Sequence, residues 1–220
     1  ISGETRPAVI GFDVIFASDK NAETDNRFAE VCGRYGNVVC GFNYVFTKKI
    51  MPDKNGDLFV NNLHVSDVVT PYESLAANVS QGFVTALLDE SDGIIRKAFI
   101  RFTEEDGTVS KSFSSAIYEK YMDFCGKTAV YPTDEASMLL RYSGSASEYE
   151  NVSLCDVIDG KIPAEAFDDC IVLVGAYAPG MMDAYYVPVD KGQQMYGVEI
   201  HANALQAIME GKTLTAVPDW

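Results

Sequence analysis

The 220 residues hold 17 Lys and Arg against 32 Asp and Glu, a formal net charge of -15, and 47% of them are hydrophobic. Such acidity repels phosphate backbones and anionic headgroups, so a nucleic-acid binder is excluded, while the apolar share suffices for one large core. The run CIVLVGAYAPGMM comes closest to a membrane segment, but it falls short of the roughly 20 apolar residues required and is interrupted by Pro179 and Gly180.

The chain opens on Ile1 without a Met or a signal-type segment, and reads as an N-terminally truncated piece of a longer protein. Five cysteines with no CxxC pair leave at least one thiol outside any intrachain disulfide, and exclude a structural zinc site or thioredoxin-type motif. Cys125, Cys155 and Cys170 sit beside apolar neighbours and read as small buried hydrophobes.

In chain order, PAVIGFDVIFAS predicts a strand buried on both faces, with Asp13 as its oddity. TDNRFAEVCGRYG places Phe28, Val31, Cys32 and Tyr35 at helical spacing before a closing Gly36, and NVVCGFNYVF follows as a second strand. Strand, helix, strand is the unit of a parallel sheet. Residues 47–80 are rich in Pro, Asn and Asp and read as an insertion or covering flap with room for one short helix. Next, GFVTALLDESDGIIRKAFIRF sets two apolar runs around Asp92-Gly93, the signature of a tight antiparallel hairpin.

A second amphipathic helix is expected over SKSFSSAIYEKYMDFCG, with Phe113, Ala116, Ile117, Tyr121 and Phe124 on one stripe, a Ser cap before it and Gly126 after it. MLLRYSG reads as a strand, VSLCDVIDGKIP as a short helix ending at Gly160, and CIVLVG as the most apolar and central strand. No linker divides this order. The expected fold is a single α/β domain over residues 1–220, with a central mostly parallel or mixed sheet flanked by helices and one antiparallel hairpin.

Chemical motifs are scarce. GAYAPG follows an apolar strand, but Met181 and Met182 stand where a phosphate loop needs Lys and Ser or Thr; YSGSASE is no nucleophile elbow; neither histidine, His64 or His201, can be tied to a thiol. The run YGVEIHANALQAIMEG brings Glu199, His201 and Asn203 within five positions. At about 100° per residue from Val198, Glu199, Asn203, Gln206 and Glu210 cluster near 80 to 140°, Val198, Ala202, Leu205 and Met209 within about 40° of zero, and His201 near 300°. Glu199 and His201 thus point apart and cannot share a metal. The Glu199 row reads as a solvated face, with Asn203 able to reach a neighbouring loop, and His201 as a partly buried histidine bonded to backbone or to an acid. No catalytic residue, metal or cofactor is expected.

The succession PAVIGFDVIFAS, LDESDGIIRKAFI, LLRYSG, VSLCDVIDGKIPAEAFDDCIVLVGAYAPGMMDAYYVPV and YGVEIHANALQAIMEGKTL resembles the CHASE2 family of bacterial extracytoplasmic sensory domains, the terminal VLVG, GMMD, VPV and GVEIHAN being its most specific part. Val187 before Pro188 departs from the family's usual threonine, and the chain starts after the family's opening strand and WPR-like segment. The resemblance implies an input module of a membrane-bound signal-transduction protein, placed between transmembrane helices, with Trp220 arriving where one would start. A cyclase, a histidine kinase or a serine/threonine kinase would supply the output. Its partner would be a small-molecule or protein signal, and the domain could pair as a homodimer.

In an open α/β sheet a ligand pocket belongs outside the carboxyl ends of the parallel strands, here where the loop after CIVLVG meets the last helix. Tyr177, Asp183 and His201 are the polar groups expected there, with Asn203 on the same helix as a fourth ligand-binding candidate. Two alternatives stand beside this reading: a structural or dimerisation module without a ligand, and a metal- or acid/base-dependent hydrolase using His201 with Asp183 or Asp13.

Overall fold

The computed structural model describes residues 6–190 and 192–215, so the expectation placed on Trp220 lies outside the described residues. Strand β1 (Val9–Asp13) leads through helix α1 (Ala22–Tyr35) to β2 (Val38–Pro52), and the two strands pair in parallel. Asn21 caps α1 by accepting from the N–H groups of Glu23 and Thr24, and Gly36 closes it at φ 65°.

The stretch from Thr47 to Ser80 is mostly regular structure. β2 runs on to Pro52 and turns back as β3 (Leu58–Val69), an antiparallel hairpin, before helix α2 (Glu73–Ala76) and strand β4 (Ser80–Phe83). The single short helix anticipated there is present. Pro52, Asp53, Asn55 and Asp57 make the turn, where Asp53 accepts from the N–H groups of Asn55 and Asp57, while Asn61, Asn62 and Asp67 sit within β3 itself.

Strands β5 (Leu87–Leu88) and β6 (Ile95–Phe99) form the hairpin around Asp92-Gly93, with Gly93 at φ 73°. A small ribbon of β7 (Arg101–Thr103) and β8 (Val109–Lys111) precedes helix α3 (Phe113–Phe124), whose first turn is capped by Ser112 accepting from Ser115 N–H. Then follow β9 (Ser137–Leu139), which pairs with β6, helix α4 (Leu154–Ile158) and β10 (Ile171–Gly175). A two-stranded ribbon of β11 (Ala184–Tyr185) and β12 (Met195–Tyr196) delivers the chain into helix α5 (Gly197–Met209).

β10, β1, the first half of β2, and β4 stand side by side in parallel, and the second half of β2 leaves to pair with β3. Helices cover both faces. Because side chains alternate along a strand, Ile10 and Phe12 join α1 and α2 in a cluster with Cys32, Val38, Cys40 and Leu75, while Val9 and Val39 join α3 and α5 in the main core. Asp13 has the parity of Val9 and therefore faces α3 and α5, which places a carboxylate under the last helix.

Two expectations need correction. CIVLVG forms an edge of the parallel sheet rather than its centre: β10 pairs only with β1 among the described residues, and all five of its residues are half-buried. Its apolar character reflects helix coverage of the faces, which a run of hydrophobic residues cannot distinguish from a central position. Cys125, Cys155 and Cys170, expected as buried hydrophobes, are exposed, whereas Cys32 and Cys40 are buried, all five free. Cys125 and Cys170 lie just beyond the end of α3 and just before β10, where the chain has left the core.

Candidate functional site

At the carboxyl ends of β1 and β10 the register sets Asp13 beside Gly175. A Cβ on Gly175 would lie 2.7 Å from Val198 Cβ and 3.2 Å from Asp13 Cβ, so the glycine is what lets α5 come down onto the strand ends. His201, on the second turn of α5, then places Nε2 3.9 Å from Asp13 Oδ1, and the two side chains are only 17% and 8% exposed. Asp13 Oδ2 is buried and has no hydrogen-bond partner. Burial raises the Asp13 pKa from its ordinary 3.8, His201 opposes that shift, and nearby Asp183 reinforces it.

Asp183 reaches the site from the loop after β10. Its carbonyl accepts from Gly197 N–H at 3.0 Å, and a Cβ on Gly197 would fall 2.6 Å from its Oδ2, so glycine at the first position of α5 makes room for this carboxylate. The Tyr185 hydroxyl lies near Asp183, and its pKa is raised first by burial and then by the two aspartates. Of the expected ligand groups, Asp183 and His201 both surround Asp13. Sequence reasoning noticed Asp13 as an oddity of its strand and paired it with His201 only in the hydrolase alternative; that its face of the strand is the one α5 covers is decided by the packing.

Tyr177 turns to the other side of α5. Its ring lies 4.7 Å from that of Tyr196, and its hydroxyl donates to Glu199 Oε1 at 3.4 Å. There the first half of the polar row expected to be solvated is buried, Glu199 being 3% and Asn203 0% exposed, while Gln206 is half-buried and Glu210 at the far end is exposed as expected. Glu199 accepts from Ser147 N–H at 2.6 Å and from Tyr196 N–H at 3.1 Å. Asn203 Oδ1 accepts from the N–H groups of Ser143 and Gly144, and its Nδ2 donates to Glu199 O. Gln206 accepts from the Tyr149 hydroxyl. The loop 143–149 thus lies over the row and supplies the donors that water would otherwise provide, which single-helix geometry cannot reveal. Asn203 does meet a neighbouring loop, and its polar atoms are engaged in holding it.

On the α3 side Ser114 Oγ donates to His201 O at 3.1 Å and stands 3.4 Å from His201 Nδ1, while the Phe113 ring meets the imidazole edge to face. Serine, histidine and aspartate therefore stand in a row that resembles a hydrolytic triad in composition. Ser114 is only 1% exposed, and its hydroxyl is committed to a backbone carbonyl, so the row ties α3, α5 and β1 together without presenting a nucleophile. Among the described residues no group of three or more His, Cys, Asp or Glu side chains could hold a metal ion. A hollow of about 340 Å³ is lined by Lys97 and residues 135–139, and one of about 170 Å³ by Ser143, Gly144, Glu148, Tyr149 and Gln206; neither touches Asp13, Asp183 or His201.

No curated protein and no solved structure matches the chain. The family model described as CHASE2 domain matches residues 3–220, essentially the whole chain. This protein belongs to the CHASE2 family, whose members are sensory, non-catalytic domains of signalling proteins.

Proposed function

We propose that this chain is the extracytoplasmic, ligand-sensing input domain of a membrane-bound bacterial signal-transduction protein whose output is a cyclase, a histidine kinase or a serine/threonine kinase. One observation carries the ligand-sensing part: Asp13 Oδ2 is buried without a partner at the strand ends where α/β folds bind ligands, with Asp183 and His201 beside it. A buried acceptor left unpaired is a cost that a ligand with a cationic or hydrogen-bond-donating group would remove. Tyr177 and Asn203 act one layer back, fixing the α5 side that the loop 143–149 covers.

Such a ligand shifts the domain between two arrangements only by its differential affinity for them, about 1.4 kcal/mol per tenfold. The Ser114 and His201 contacts give it a route, since a change at Asp13 bears at once on α3 and α5. The test is a melting-temperature survey against amines, amino acids and inorganic cations. A concentration-dependent rise that disappears in Asp13→Asn and in His201→Ala supports the reading, and a flat response across the panel leaves a structural module without a ligand. Membrane placement is tested separately, by reporter fusions to the full-length gene product on either side of this segment.

A further inference from the structure

The hairpin of β2 and β3 has a fixed root and an unsupported far half. Phe42, Tyr44, Phe83 and Phe99 form a buried aromatic cluster at the root, packed by Phe46 and Phe102, and the Tyr44 hydroxyl donates to Glu104 at 2.6 Å. Beyond it the register pairs Ile50 with Val60 and Pro52 with Leu58 on one face, and Met51 with Phe59 on the other. These side chains stand in solvent: Ile50 is 69% exposed, Leu58 75%, Val60 55% and Phe59 47%.

The outer side of β3 pairs with no other described strand. Asp53 N–H donates to Asp57 O at the turn, and hydrogen-bonded pairs alternate along an antiparallel ladder, so the N–H and C=O groups of Leu58 and Val60 point away from β2. Exposed edge strands are ordinarily blunted by Lys or Pro, yet the twelve residues from Leu58 to Val69 contain neither, and Asp67 is their only carboxylate.

We propose that this edge joins two copies of the chain, β3 pairing antiparallel with β3 of its twin across a two-fold axis. Charge selects the occupant. The whole chain is -15, so two copies repel one another over most of their surfaces, but residues 47–62 hold Lys48, Lys49 and Lys54 against Asp53 and Asp57, three positive charges and two negative. A basic partner would be drawn to the acidic remainder instead, and an anionic bilayer would be repelled by it. Antiparallel pairing of β3 with itself satisfies the outward backbone groups and extends both apolar faces across the axis. An edge contact of this kind buries less than the roughly 800 Å² per partner of a stable complex, so the dimer is reversible.

The proposal is independent of the ligand site, and its test needs no ligand. Sedimentation equilibrium of the 220-residue chain is expected to show a concentration-dependent monomer and dimer. Val60→Lys sets like charges close together across the axis and weakens dimerisation by at least about tenfold. Because Val60 is 55% exposed, circular dichroism and melting temperature of the monomer should stay unchanged, and Leu58→Lys, at 75% exposure, provides a second variant. A wild-type chain monomeric throughout, a dimer indifferent to both substitutions, or a monomer that floats with anionic phosphatidylglycerol vesicles unless Val60 is replaced would each overturn it.

Discussion

At the residue scale Asp13 carries the most consequence. Its pKa is raised by burial, so at pH values above that raised value the fold holds an ionised carboxylate it would rather hold neutral. The penalty is absent below the ordinary 3.8, where folded and unfolded chains are both protonated; it grows as pH rises toward the folded value and is constant above it. Asp13→Asn, which cannot ionise, is therefore expected to raise the melting temperature at neutral pH, with the gain vanishing near pH 4. Asp183, Tyr185 and His201 face the same carboxylate, so the profile should be compared with that of His201→Gln, which removes the imidazole that opposes the shift. The thiols offer a simpler check: Cys125, Cys155 and Cys170 should alkylate in the native state, whereas Cys32 and Cys40 should react only on unfolding. Burial pushes the Cys40 pKa up to about 12, which removes the reactive thiolate as well as access to it.

At the scale of elements, α5 is held by a loop on one side and by α3 and β1 on the other. Glu199 is the main clamp on the loop side, accepting from Ser147 and Tyr196 while almost fully buried. Glu199→Ala would leave both N–H groups unpaired; it should cost about 2–3 kcal/mol and increase amide hydrogen exchange at residues 143–147 ahead of the remainder. The helix itself is plain in its sequence, from the apolar spacing to the 13-residue length between Gly197 and Met209. Which of its faces meets water is not, because the loop that covers the polar row lies over 50 residues earlier in the chain. The edge position of β10 has the same origin, since an apolar strand says that its faces are covered and nothing about how many neighbours it has.

For the whole molecule, the excess of acid over base opposes compaction as well as self-association. Raising ionic strength from about 10 mM to about 150 mM shortens the screening length from roughly 30 Å to 8 Å and should raise the melting temperature. The sequence by itself determined the β1–α1–β2 unit, helix α3 with its Ser cap, the hairpin around Asp92-Gly93, helix α5 and the CHASE2 membership, because each rests on local pattern or on motif, whereas the short ribbons of β7 with β8 and of β11 with β12 were not read from it. Residues 47–80 were legible only as an excursion, since their turn-forming residues obscured the two strands that make the hairpin. Tertiary structure alone decided that Asp13 meets His201, that Asn203 and Glu199 are buried, and which cysteines are exposed. In each case the deciding partner comes from a distant segment, and burial is a property of what packs against a residue, which periodicity along one element does not contain.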